Sequence, residues 1–219
     1  MFSLLKKYNR LNETLFLGVV STLCFMISVF RFVVTGSMLF LFLNWNLFLA
    51  FIPWLFSSWI TIRPGLQRNK MAIFIFLFLW LLFFPNAPYI LTDLFHLQIA
   101  TSVPKWFDLM LILSFAWVGL LFGFMSLWDI EDTVGRWIKK QWIPVISVGL
   151  LFLGSFGVYI GRYLRWNSWD IIRDPFGLFY DIGNRLINPK DHQTWGMTLF
   201  MGLFLNIVYW SFKLIKKRN

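Results

Sequence analysis

The sequence predicts an all-α integral membrane bundle of six transmembrane helices with short interfacial helices. Two observations carry that expectation. Of 219 residues, 58% are hydrophobic, 21% aromatic and only 14% charged, more apolar surface than a soluble core of this size hides. The apolar residues also fall into six runs of membrane-crossing length, near 15–34, 38–62, 71–84, 107–128, 142–164 and 195–215. Six spans leave room for one polytopic membrane domain over 1–219 and for no separate soluble domain.

The first run follows Lys6, Lys7 and Arg10 as a signal peptide would, but it is long and no small-residue cleavage site follows it, so it reads as an uncleaved first span. Cys24 is the single cysteine and lies mid-span, which excludes an intramolecular disulfide and makes it core. Arg31 closes the span, placed to snorkel to the headgroups or to pair with an acid there. In the second span the amides of Asn44 and Asn46 need partners on neighbouring helices or line a cavity, and Pro53 can kink the same helix. A basic turn, 63–70, leads into the third run.

That run is short, and it passes into Pro85-Asn86-Ala87-Pro88-Tyr89-Ile90-Leu91-Thr92-Asp93-Leu94-Phe95-His96-Leu97. Two prolines bend the chain. On an α-helical continuation Tyr89, Asp93 and His96 share about 60° of arc, with Ile90, Leu91, Leu94 and Leu97 opposite. Thr101 to Trp106 turn back towards the bilayer, and Asp108 stands in the first turn of the fourth span, where an acid suits the helix dipole. Gly119 and Gly123 offer a close helix contact. Asp129, Glu131 and Asp132 read as solvated partners of Arg136, Lys139 and Lys140. The fifth span carries Gly149, Gly154, Gly157 and Gly161, a small face for a packing helix.

The second polar concentration follows at Gly161-Arg162-Tyr163-Leu164-Arg165-Trp166-Asn167-Ser168-Trp169-Asp170. Arg162, Arg165, Trp166 and Trp169 recur at helical spacing, which sets guanidinium groups beside indoles on one face. Asp174-Pro175 and Asn188-Pro189 bracket a short interfacial helix with Asp181 and Arg185 at i, i+4. His192 is a solvated loop histidine, and the sixth span ends in a basic tail.

The formal charge of +10 does not point to nucleic acid, because the basic residues are divided among loops and tails. In a six-span chain 13 of the 20 fall on one side (Lys6, Lys7, Arg10, Arg63, Arg68, Lys70, Arg136, Lys139, Lys140, Lys213, Lys216, Lys217, Arg218) and seven on the other. The positive-inside rule then makes both termini cytoplasmic. Spans 3 and 5 exit on the same side, so the sequence predicts an outward-facing pocket. Its members are Asn86, Tyr89, Asp93, His96, Asp108, Arg162, Arg165, Asn167, Trp169 and Asp170. The arginines suit a phosphate or carboxylate. Asp93 and His96 have two open readings: an acid/base pair, or two ligands of a metal completed by Asp170. With only two histidines, a three-histidine zinc site is excluded, and neither a metal nor a cofactor is expected. Hydrolase, nucleotide and dehydrogenase motifs are all missing from the sequence.

The two quoted stretches resemble the signatures of an uncharacterised bacterial family of multi-spanning membrane proteins, classed as a domain of unknown function. The resemblance implies a bacterial plasma-membrane protein and brings no assigned activity. Three functions stay open: binding or processing an anionic, possibly lipid-linked envelope substrate; a solute-binding subunit of an uptake transporter; or a structural protein in which Arg162 or Arg165 merely pairs with Asp93 or Asp170. The expected partners are the lipid bilayer and an anionic or lipid-linked ligand, not nucleic acid, and protein partners are left open.

Overall fold

In the computed structural model, residues 6–8, 10–99, 102–187 and 192–218 are described, and they hold helices and turns with no strand among them. In chain order the helices are α1 (Leu11–Thr35), α2 (Phe42–Ile62), α3 (Pro64–Arg68), α4 (Lys70–Phe83), α5 (Asn86–Tyr89), a 3₁₀ helix (Ile90–Gln98), α6 (Lys105–Val134), a 3₁₀ turn (Lys140–Trp142), α7 (Ile143–Tyr163), α8 (Asp170–Arg173), α9 (Pro175–Ile187) and α10 (His192–Arg218). Six segments are long and apolar enough to cross a membrane: 11–35, 42–62, 70–98, 105–134, 140–163 and 192–215. The third runs on through the proline stretch to residue 98, because α5 and the 3₁₀ helix prolong α4 instead of ending it.

By its contacts the chain forms two compact units, Met1–Trp137 and Ile138–Asn219. In the first unit α6 is central: α1, α2, α5 and the 3₁₀ helix all pack on it. Its two glycines explain the closest of these contacts. A Cβ at Gly119 would lie 2.8 Å from the Ala87 carbonyl oxygen and 2.9 Å from Ile90 Cδ1, and one at Gly123 would lie 2.8 Å from Ala87 Cβ. The Gly-xxx-Gly pair therefore seats the proline turn, with Ala87 and Ile90 fully buried. Ile90, on the apolar arc opposite Asp93 and His96, thus faces protein and not lipid. One turn on, Ser126 accepts from Trp80 Nε1 (3.0 Å) and donates to the Gly123 carbonyl (2.7 Å), tying α4 to α6.

Ion pairs hold the first unit towards each end of its helices. Arg31 Nε donates to Asp108 Oδ1 at 2.7 Å with both side chains buried. Arg31 therefore takes the acid and does not snorkel, and its guanidinium also lies 4.4 Å from the Phe40 ring centroid. At the other end Arg10 pairs with Glu13 (2.6 Å) and with Asp129. Ser57 Oγ donates to Asp129 (2.7 Å) and Trp54 Nε1 to Glu13 (2.7 Å). Asp129 was expected as a solvated partner of the following basic cluster. It instead points back into the bundle, because it lies on the buried face of α6, three residues after Ser126 and four before Thr133, where an unpaired carboxylate is costly.

The second unit is built on α7 packed against α10. At Gly202 of α10 a Cβ would collide with the Phe152 ring of α7, so this glycine allows a close contact; Gly149 of α7 faces open space. Beyond α7 the chain forms α8 and then α9, whose start is held by Asp174 accepting from the Gly177 amide (3.0 Å). Ile172, Phe176, Phe179 and Tyr180 all stay exposed along α8 and α9, as an interfacial helix requires.

Candidate functional site

The end of the first unit that carries Arg31 also carries the proline stretch. Asn86 Nδ2 donates to the Phe83 carbonyl (2.9 Å), satisfying one of the acceptors freed where α4 ends. From Ile90 the backbone winds as a 3₁₀ helix, in which residues three apart eclipse. Asp93 and His96 are therefore stacked on one line, as needed for a pair. Tyr89 is turned about 120° from them, and Thr92 takes the place beneath it, its Oγ1 donating to the Tyr89 carbonyl at 2.6 Å. The tighter winding is why Tyr89 leaves the arc that α-helical spacing gave it.

Asp93 is buried, 1% exposed, and its Oδ2 accepts from Asn46 Nδ2 of α2 at 2.9 Å. Asn44, on the same helix, donates to Ser28 Oγ of α1 at 2.9 Å. Both amides of the second span thus find the interhelical partners they need. His96 Nδ1 lies 3.1 Å from the Asp93 backbone carbonyl and 3.9 Å from Oδ1. A carbonyl can only accept, so the bond puts the proton on Nδ1 and leaves Nε2 with the lone pair in the neutral ring. Nε2 has no partner among the described residues, and the side chain is 30% exposed. The ring packs on Phe42 at 5.1 Å, Phe42 on Phe40 at 6.2 Å, and Phe40 under Arg31. Asp93–His96 and Arg31–Asp108 are thus joined through an aromatic bridge. Asp108, expected to face a ligand, is engaged by Arg31.

In the second unit α7 ends at Tyr163. The helical spacing of Arg162, Arg165, Trp166 and Trp169 consequently does not set them on one face. Arg165 lies outside the helix with φ +60°, the only positive φ among the described non-glycine residues. Such a conformation costs an L-residue about 1–2 kcal/mol. It turns the chain so that the Trp166 amide reaches back to the Ile160 carbonyl (3.4 Å) and Trp166 Nε1 donates to Asp181 Oδ2 of α9 (2.8 Å). Asp181 is thereby used by the loop. Asp170 Oδ2 accepts from the amide and the side chain of Asn167 (2.7 and 3.1 Å), so these two expected site residues lock the loop to itself. Trp169 stands at the start of α8, 41% exposed. Arg165 is exposed, with no side-chain partner among the described residues.

The first unit offers a base at His96 Nε2 with a buried acid behind it; the second, taken by itself, offers a guanidinium presented by a strained turn. Among the described residues no three His, Cys, Asp or Glu side chains gather closely enough to hold a metal ion. Sequence reasoning missed the Arg10–Glu13–Asp129 cluster and singled out Asn46 only as an amide needing a partner. The one signal for the pairing was the cost of an acid in a helix otherwise buried on that face.

No curated protein and no solved structure matches the chain. A family model does, over residues 45–208, about three-quarters of the length, taking in both polar stretches and leaving α1 outside. The chain belongs to the family described as "Protein of unknown function (DUF1361)".

Proposed function

We propose that this is a bacterial plasma-membrane protein, with both termini cytoplasmic, that binds or processes an anionic, lipid-linked envelope substrate. His96 serves as the base and Asp93 as the acid that orients it; Arg162 and Arg165 take the anionic group. The observation that carries the reading is the state of His96: its Nδ1 is spent on the Asp93 carbonyl while Nε2 is open at a partly exposed ring. The exposed Arg165, held in a costly backbone conformation, supports the second half, since strain of this kind concentrates at working sites.

The test is native mass spectrometry of the detergent-purified protein beside Asp93→Asn and Arg165→Ala. A discrete adduct lost from both variants supports the reading and gives the ligand class. No adduct, or the same lipids on all three proteins, overturns it. A second reading, a structural protein whose polar clusters only tie helices, is favoured by the two buried ion pairs. Under it, thermal stability falls in step with any loss of phenotype in conservative variants of Asp93 and His96.

A further inference from the structure

Helices α1 and α2 meet through two polar staples and stand apart between them. At one end Asn44 of α2 donates to Ser28 of α1 (2.9 Å); at the other Trp54 of α2 donates to Glu13 of α1 (2.7 Å). From residue 44 to residue 54 an α-helix rises about 15 Å, half the roughly 30 Å of a bilayer's hydrocarbon. The gap between the staples is a cavity of about 360 Å³, lined chiefly by Leu17, Gly18, Ser21, Phe48, Phe51 and Phe122. Phe122 of α6 is buried and closes the back, against Phe51 edge-on at 5.6 Å. Phe25 and Phe48 at the rim are more than half exposed, so the groove opens sideways, through the surface that α1 and α2 turn towards lipid.

Water has few polar groups to hold it in such a space, and no described side chain fills it. What the surroundings supply is hydrocarbon.

We infer that the α1–α2 groove is a binding site for one acyl chain of an anionic lipid. The inference rests on the lipid-linked part of the function proposed above and locates the tail. The Asn44 end of the groove is the end at which Asn46 holds Asp93, and the proposal sets the headgroup there, at the Asp93–His96 end of the same unit.

The test uses the full-length protein in nanodiscs containing phosphatidylglycerol with a diazirine midway along one acyl chain. After photolysis, labelled peptides are mapped. Label should concentrate on 14–25 and 44–54, and Gly18→Leu should reduce it several-fold, since a Cβ there meets nothing within 4 Å and fills the groove without disturbing its walls. Ser21→Leu, filling it from the neighbouring turn, should do the same. Gly149→Leu, equally unobstructed but on α7, should leave the label unchanged. Even labelling of all spans, or groove labelling indifferent to both filling variants, overturns the site and leaves only annular lipid. The two proposals fail separately: groove labelling without a mass adduct keeps this site and removes the substrate reading, and an adduct without groove labelling does the reverse.

Discussion

Arg165 brings stability and function into opposition at a single position. Its φ of +60° suits glycine far better than arginine, so Arg165→Gly should leave the melting temperature unchanged or raise it while abolishing the ligand adduct. A residue kept only to end α7 would lose nothing on that change, and an adduct retained by the glycine variant would rule out the anion-binding role. Arg31 behaves differently. It is buried with Asp108, so Arg31→Ala leaves a carboxylate without its cation, and breaking such a pair from one side costs about 3–5 kcal/mol. Replacing both partners, Arg31→Met with Asp108→Leu, should recover most of the loss in a detergent-denaturation titration. Residue spacing made the Asp93–His96 pair legible, because residues three apart come together in an α-helix and a 3₁₀ helix alike. It failed for Tyr89 and for the Arg162–Trp169 set, because a fourth residue diverges once the pitch tightens and no spacing survives a helix end.

At the scale of elements the proline stretch is held by what it sits on. Gly119 faces a backbone carbonyl and Gly123 faces a methyl group, both from the same turn of α5. The two therefore respond differently to rescue. Gly123→Ala should destabilise by about 1–3 kcal/mol through overpacking, and Ala87→Gly should restore most of it by removing the methyl that is struck. Gly119→Ala should cost at least as much and resist that rescue, since the Ala87 carbonyl remains. Equal rescue of both, read from thermal unfolding in detergent, would show that the turn is not seated as described. The sequence marked Gly119 and Gly123 as a contact and the prolines as a bend, each by its own local signal. It could not join them, because which small face receives which turn is decided by packing between segments some thirty residues apart.

For the whole molecule, hydropathy was enough to place six spans, since the bilayer demands long apolar helices wherever the chain crosses. The long-range polar pairs were invisible for the opposite reason: Arg10 and Asp129 are drawn together only by the cost of leaving either alone inside the bundle. The rule that orients the chain counts Lys and Arg and not net charge, so the pairing of Arg10 and of Arg31 with acids leaves the balance as it was. The orientation follows as a prediction. In a Cys24→Ala background, Lys139→Cys lies on the side of the thirteen basic residues and Ser102→Cys on the side of the seven. A membrane-impermeant maleimide added to intact spheroplasts should modify Ser102→Cys alone, and Lys139→Cys should react only after permeabilisation. The reverse pattern would turn the Asp93–His96 end towards the cytoplasm, and the proposed substrate would then have to be met before export, not after it.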